Sequence, residues 1–187
     1  SGYIKEVGVE LYQSMLQESI LMLKSGCNLD EVGKKEIQIN LAVPALIPDY
    51  YISDSDLRLE IYRKIGNIDN EKEVFNMEYE LSDRFGSIPI ELRNLLILIK
   101  IKLICFDLNI EKIDVGPFGF TFSFFNNKCE FPEKLINFLN NNTTRKYYKD
   151  IKLKPDGKII ILKKWKTEKN RTEDVSNFFA LMKENTI

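Results

Sequence analysis

Residues 111–125 read E-K-I-D-V-G-P-F-G-F-T-F-S-F-F, and they decide the fold class of this 187-residue chain. Apolar and polar residues alternate on both sides of G-P-F-G, a pattern that is typical of two half-buried strands joined by a tight turn. Phe118, Phe120, Phe122 and Phe124 recur at every second position, so we expect them to form one aromatic face of this hairpin. A strand pair in the middle of the chain excludes an all-helical fold.

The predicted secondary structure differs before and after this hairpin. Toward the N-terminus, helices predominate, with one alternating strand. Toward the C-terminus, a second hairpin has its turn at Asp156-Gly157. The sequence therefore predicts an α+β fold with a helix-rich first part and one early strand, then two β-hairpins and a closing helix. The predicted helices cover residues 4–24, 54–66, 71–85, 92–108, 132–140 and 171–184, and the early strand covers residues 36–43.

The helix predicted over residues 71–85 lies in an acidic part of the chain. Its apolar stripe consists of Val74, Met77, Leu81 and Phe85. At about 100° per residue, the carboxylates of Glu73, Glu80 and Asp83 point away from that stripe. Glu80 and Asp83 are near neighbours on a convex surface, which does not favour a catalytic pair in a cleft. The residues alone leave two alternatives, a solvated face or a docking surface, and the solvated face is the simpler.

Basic residues dominate positions 144–172, where aromatic residues lie among them. This composition resembles a nucleic-acid-binding face, in which lysines contact phosphates and aromatic rings stack on bases. The alternative is a hairpin whose lysines line a solvated sheet edge and prevent edge-to-edge pairing. The candidate nucleic-acid contacts are Lys146, Lys149, Lys163, Lys164 and Trp165.

Residue types that carry chemistry are scarce. The chain has no histidine, which removes Ser-His and Cys-His nucleophile pairs and histidine metal ligands. It also lacks both G-x-x-x-x-G-K-[ST] and G-x-G-x-x-G, the phosphate-binding patterns. Cys27, Cys105 and Cys129 are scattered, so we expect small buried side chains and no zinc site. We therefore predict no enzymatic activity, no metal and no cofactor for this chain.

The same features predict a cytoplasmic protein. Scattered cysteines in odd number favour a reducing compartment, and the sequence does not open with a secretory signal. Its longest apolar stretch, residues 92–106, is interrupted by charged residues and is shorter than the roughly 20 residues that a membrane-spanning helix needs.

Four segments resemble, in order and spacing, the C-terminal domain of bacterial transcription-repair coupling factors. They are S-G-Y-I-K-E-V-G-V-E-L-Y (1–12), P-A-L-I-P-D-Y-Y-I-S-D (44–54), R-L-E-I-Y-R-K-I (58–65) and E-L-S-D-R-F-G-S-I-P (80–89). The agreement in order and spacing runs from residue 2 to about residue 116. Each motif is only moderately specific by itself, whereas four motifs in register are a strong indication.

The resemblance implies that the chain belongs to a large ATP-driven DNA translocase that displaces stalled RNA polymerase and recruits excision repair. None of the motor motifs of that family occurs here. The resemblance further implies a linker helix over residues 1–30, following the motor module, and an α+β C-terminal regulatory domain over residues 31–187.

In this family the domain packs on an N-terminal module of the same polypeptide and masks the surface that binds the damage-recognition subunit of excision repair. Carried over, the motif places Glu80 and Asp83 against basic groups of that module, with Glu73 and Arg84 as further contacts. The resemblance therefore favours the docking surface over the solvated face. It also implies indirect partnership with the repair subunit, RNA polymerase and DNA, and none with a membrane. The alternative function is a non-enzymatic nucleic-acid-binding module that uses residues 144–171.

Overall fold

The computed structural model describes residues 36–187 and confirms the α+β class. The helix predicted over residues 4–24 and Cys27 lie outside the described residues. The described elements are β1 (Gln38–Asn40), α1 (Ser55–Gly66), α2 (Glu71–Phe85), α3 (Ile90–Leu108), β2 (Ile110–Gly116), β3 (Gly119–Phe124), α4 (Pro132–Asn140), α5 (Asn142–Tyr147), β4 (Asp150–Leu153), β5 (Ile159–Leu162) and α6 (Glu168–Thr186). The early strand, the two hairpins and the closing helix are all present.

Two compact units share these elements, and the division between them falls within α3. Of the described residues, the first unit holds 45–96 and the second holds 36–44 and 97–187. The core of the first unit is formed by buried side chains from α1, α2 and the start of α3, among them Ile61, Ile65, Val74, Leu81, Leu92 and Leu95.

Polar caps set the helix boundaries in the first unit. The Asp54 carboxylate accepts hydrogen bonds from two backbone N–H groups in the first turn of α1. The Asn70 side chain accepts the N–H of Glu73 and begins α2, and Gly86, at φ 88°, ends it. Side-chain oxygens suit the unpaired N–H groups at a helix start, and glycine tolerates positive φ at the end.

One five-stranded sheet contains all the strands of the second unit, in the order β1-β2-β3-β5-β4. β1 pairs with β2 in parallel, whereas the remaining neighbours are antiparallel. The two predicted hairpins therefore join through β3 and β5. Buried side chains from the strands form one hydrophobic cluster with residues of α3, α4 and α6.

Aromatic rings occupy the centre of that cluster. The ring centroids of Phe120 and Phe178 are 5.1 Å apart, and those of Phe122 and Phe179 are 5.2 Å apart, both in edge-on arrangements. Phe118 does not join them, because its side chain is 65% exposed. The prediction for Phe118 was wrong because Gly116 and Gly119 form the last pair of the hairpin. Phe118 lies in the turn between them, where the alternation of a strand no longer holds.

The early strand is shorter than the range predicted from alternation. It covers Gln38–Asn40 and not residues 36–43. The Asn40 side chain accepts the N–H of Ala42 at 2.9 Å, and Ala42 has a φ of 54°. This local turn ends the strand, since side-chain to backbone hydrogen bonds of this kind compete with sheet pairing.

Caps also explain the differences among the later helices. The closing helix begins at Glu168 and not at residue 171, because the Thr167 side chain accepts the N–H of Asn170. The sequence analysis missed α5, which begins where the Asn141 side chain accepts the N–H of Thr144 at 2.6 Å. The signal for α5 was this asparagine N-cap, but the helix that follows is only 6 residues long and has little periodicity.

Candidate functional site

The loop over residues 44–54 fixes the orientation of the acidic helix α2. The Tyr51 hydroxyl lies 2.9 Å from the backbone oxygens of both Leu81 and Gly86. The Tyr51 ring also packs edge-on against Phe85, with a centroid distance of 5.8 Å. These contacts hold the last turn of α2, where the C-terminal carbonyls of a helix would otherwise lack partners.

The same loop is held by α1. The Arg58 guanidinium donates to the carbonyl of Ile52 at 2.7 Å, and the N–H of Ile47 donates to the Tyr62 hydroxyl at 2.7 Å. The segments 44–54, 58–65 and 80–89, which carry the sequence resemblance, therefore meet in space. Their hydrogen bonds connect α1, the loop and the end of α2.

Glu80 lies on the side of α2 that faces α1. Its Oε1 is 3.0 Å from the Arg84 guanidinium and 3.7 Å from the Lys64 ammonium. All three side chains remain more than 40% exposed, so these are surface ion pairs that contribute about 0–1 kcal/mol each. The arrangement leaves the Glu80 carboxylate accessible to solvent, although Lys64 and Arg84 partly neutralise its charge.

The other predicted contacts of α2 are placed differently. Glu73 is exposed in the first turn, where its carboxylate accepts the N–H of Asp69 at 3.2 Å and supports the helix start. Asp83 is exposed and is offset from Glu80 by about 60° around the helix axis. The structure thus brings Glu80 and Arg84 together. Glu73 lies on the same side of α2 about two turns before Glu80, and Asp83 is offset from that side.

Two exposed aromatic residues on α2 are a feature that the sequence analysis missed. Phe75 and Tyr79 are each 70% exposed and lie one turn apart. They border a groove of about 370 Å³, which is lined by Phe75, Glu78, Tyr79, Ser82, Ser87, Ile88 and Arg93. The available signal was an i, i+4 aromatic pair outside the buried stripe of the helix.

The basic part of the chain is organised around one carboxylate, that of Asp174 on α6. It accepts the Tyr148 hydroxyl, the Trp165 indole N–H and the Lys163 ammonium, each at 2.7 Å. The Lys163 ammonium also lies 4.4 Å from the centre of the Tyr148 ring. Burial, together with the hydrogen bond and charge of Asp174, raises the pKa of Tyr148. Such charge-assisted hydrogen bonds are stronger than neutral ones.

This cluster divides the five predicted nucleic-acid contacts into two groups. Lys163 and Trp165 are partly buried and are engaged by Asp174. Lys146, Lys149 and Lys164 are exposed. The Lys164 ammonium lies 5.7 Å from the centre of the exposed Phe118 ring.

Cysteines and carboxylates do not gather into a metal site in the described part of the chain. Within residues 36–187, no group of three or more cysteine or acidic residues is placed to hold a metal ion. Cys105 is buried and Cys129 is partly buried, and burial raises the pKa of both thiols. A raised pKa keeps a thiol protonated and poorly nucleophilic. None of the described helices is long and apolar enough to cross a membrane.

Together these features define an α+β fold of helices and one mixed five-stranded sheet. The profile of the TRCF domain matches residues 41–135, just over half of the chain. The chain belongs to the TRCF domain family of transcription-repair-coupling factors.

Relatives support this membership along most of the chain. The transcription-repair-coupling factor of Rickettsia typhi is 44% identical over 164 residues, which cover 88% of this chain and 14% of that protein. That of Escherichia coli K12 is 28% identical over 189 residues, covering 100% of this chain and 16% of that protein. The chain therefore spans a small part of the length of these relatives.

A solved structure confirms the fold. The crystal structure described as the C-terminal domain of transcription-repair coupling factor aligns with a TM-score of 0.65 and 23% identity. The alignment covers 81% of this chain and 94% of that one.

Proposed function

We propose that this chain is a regulatory domain that docks, through the outer side of α2, on an N-terminal module of the same polypeptide. There it covers the surface with which that module binds the damage-recognition subunit of excision repair. The single observation that carries this proposal is the outward placement of Glu80 and Asp83 on a helix whose orientation is fixed by Tyr51. Membership of the TRCF domain family supports it.

The chemistry of the surface suits a reversible contact between the domain and the N-terminal module. Carboxylates that meet arginines form directional, charge-assisted hydrogen bonds, which set register and specificity while adding limited net affinity. Covalent linkage further stabilises the docked state, because a tethered partner is present at an effective concentration on the order of millimolar. Engagement of DNA or RNA polymerase by the parent then shifts the equilibrium toward the undocked state.

In this proposal the parent supplies ATP hydrolysis and DNA translocation, and the present chain makes and breaks no bonds. Its partners beyond the N-terminal module are indirect: the repair subunit, RNA polymerase and DNA. This assigns the domain to the cytoplasm, where those partners act in bacteria.

The test is the double variant Glu80→Ala/Asp83→Ala, assayed for binding to the isolated N-terminal module. We expect affinity to fall about tenfold or more, because partner arginines lose their acceptors. Far-UV circular dichroism should stay unchanged, since Asp83 is exposed and the Glu80 side chain is 41% exposed.

The matched control is Glu111→Ala/Asp150→Ala, which removes the same charge from exposed positions in the second unit. It should bind like the unmodified chain. The proposal is wrong if the folded Glu80/Asp83 variant retains full affinity.

A further inference from the structure

We propose that the groove beside Phe75 and Tyr79 is the apolar centre of the docking surface. It would receive an aliphatic side chain that is flanked by lysine or arginine in the partner module. This inference rests on the proposed function in one respect, that α2 is the docking helix. It assigns the anchoring role to residues outside the E-L-S-D-R-F-G motif.

The first argument is position along α2. Phe75, Tyr79 and Asp83 are spaced by four residues, so they form one row along the helix surface. Glu71 begins the same row, so the two aromatic residues lie between two carboxylates, Glu71 and Asp83. Glu80 lies off this row, on the side where Lys64 and Arg84 are found. Tyr79 and Asp83 lie one turn apart, so a partner segment along this row can contact both.

The second argument is exposure. The folding of α2 buries Val74, Met77 and Leu81. Phe75 and Tyr79 are each 70% exposed, so they add little to that core. Exposed apolar patches with a polar rim mark interaction sites, and aromatic residues are common anchors at protein interfaces.

The third argument is shape and lining. The groove has a volume of about 370 Å³ and is open, near the lower end of the range for ligand pockets, roughly 300 Å³ upward. Ile88 adds to the apolar lining, while Ser82 and Ser87 supply hydroxyl groups. Such a lining suits insertion of one or two aliphatic side chains whose backbone stays at the polar rim.

Charge selects the partner. The groove lining itself carries one carboxylate, Glu78, and one cation, Arg93. Along its whole length α2 is acidic, because Glu71, Glu73, Glu78, Glu80 and Asp83 outnumber Lys72 and Arg84. The surroundings are therefore acidic, which favours a basic partner. A second copy of this chain would bring the same acidic helix, and like charges placed opposite each other disfavour association. We therefore assign the groove to a basic segment of the partner module.

The test is Phe75→Ala/Tyr79→Ala, measured by calorimetry against the isolated N-terminal module at low and high salt. Loss of two interface anchors should weaken binding about thirtyfold. Because no charge is removed, the salt dependence should match that of the unmodified chain, whereas Glu80→Ala/Asp83→Ala should reduce it. The melting temperature should shift by less than about 3 °C, since both rings are exposed.

Two further variants complete the design. Phe106→Ala removes an aromatic ring that is 68% exposed on α3, in the second unit, and should bind normally. Phe75→Lys places a cation at the groove while keeping a good helix-forming residue. It should reduce binding of a basic partner at least as much as the alanine change at that position.

The outcomes separate this inference from the proposed function. If Phe75→Ala/Tyr79→Ala binds normally while Glu80→Ala/Asp83→Ala is weakened, the groove assignment is overturned and the proposed function stands. If neither double variant alters binding, both fail. If only the aromatic variant is weakened, the groove is supported and the carboxylate assignment is wrong. If the unmodified chain dimerises in sedimentation experiments and Phe75→Ala/Tyr79→Ala does not, the occupant is a second copy and the choice of partner is overturned.

Discussion

The acidic helix α2 and the basic residues 144–171 look alike in sequence, because each is a charge-dense stretch with aromatic residues among the charges. The structure treats them differently. On α2, Phe75 and Tyr79 remain exposed and Asp83 is directed outward. In the basic stretch, Trp165 and Lys163 are engaged by Asp174. A charge run is available to a partner only where the fold has not already supplied its counter-charge.

The difference arises from where the counter-charges lie in the chain. The cations near Glu80 are surface neighbours at 3.0 and 3.7 Å, which leaves the carboxylate partly hydrated. Asp174 belongs to the closing helix and meets three donors in a partly buried position. Low surrounding polarity strengthens such a cluster and makes its disruption costly. Lys146, Lys149 and Lys164 remain exposed, so nucleic-acid binding by them stays a prediction.

The largest expected effect is that of Asp174→Ala. Removal of the carboxylate leaves the Tyr148 hydroxyl, the Trp165 indole and the Lys163 ammonium without their acceptor. We expect the free energy of unfolding to fall by about 3 kcal/mol, as is usual when a partly buried charge loses its partner. Urea denaturation followed by circular dichroism measures this directly.

The control for Asp174 is its neighbour Glu173, whose carboxylate is 45% exposed and forms a surface ion pair with Lys169. Glu173→Ala should change stability by less than about 0.5 kcal/mol. Equal losses for the two variants would show that Asp174 has no special structural role, and the basic stretch would then be as free as the acidic helix.

Tyr148→Phe tests the same cluster with a smaller change. It removes one hydroxyl that donates to Asp174 at 2.7 Å, and the expected loss of stability is about 1.5 kcal/mol near neutral pH. The loss should depend on pH, because the pKa of Tyr148 in the folded chain is raised above its usual value of 10.0.

The sign of this dependence follows from proton binding. Below pH 10 both the folded and the unfolded chain hold the Tyr148 proton, so its contribution is fully present. Above pH 10 the unfolded chain loses the proton first, which favours unfolding. The advantage of the unmodified chain over Tyr148→Phe should therefore shrink as pH rises past 10. Cys105 has the same raised pKa in both proteins, so it cancels in the difference. A constant difference up to pH 11 would contradict the assignment.

Local patterns in the sequence predicted most of the fold. The caps of α1 and α2 depend on single side chains, Asp54 and Asn70, and the range of α4 was predicted residue for residue. The turn at Gly157, with a φ of 85°, was likewise visible, because glycine is favoured there. These features depend on neighbouring residues alone, so one sequence is sufficient to identify them.

Features that depend on distant residues were not predictable in this way. Nothing near β1 indicates that it pairs in parallel with β2, or that β3 and β5 join the two hairpins. The same holds for Asp174, which looks like a solvated helix residue until Trp165 and Tyr148 are placed beside it. The outward direction of the α2 carboxylates followed from helical periodicity, whereas the groove also required the position of Ile88 and Arg93.

The smallest expected effect comes from Lys64→Ala. This variant tests whether the Glu80 carboxylate is available to a partner. The Lys64 ammonium lies 3.7 Å from Glu80 and 3.7 Å from Glu60, so it partly neutralises the acidic side of α1 and α2. Its removal should change stability by less than about 0.5 kcal/mol, since the pairs are exposed. If a basic module docks near Glu80, affinity should rise about twofold, and the gain should vanish at high salt.

Lys112→Ala is the control, because Lys112 forms a comparable exposed pair with Asp114 in the sheet. A loss of affinity in Lys64→Ala alone would mean that Lys64 itself contacts an acidic partner, and the charge assignment of the docking surface would have to be reversed.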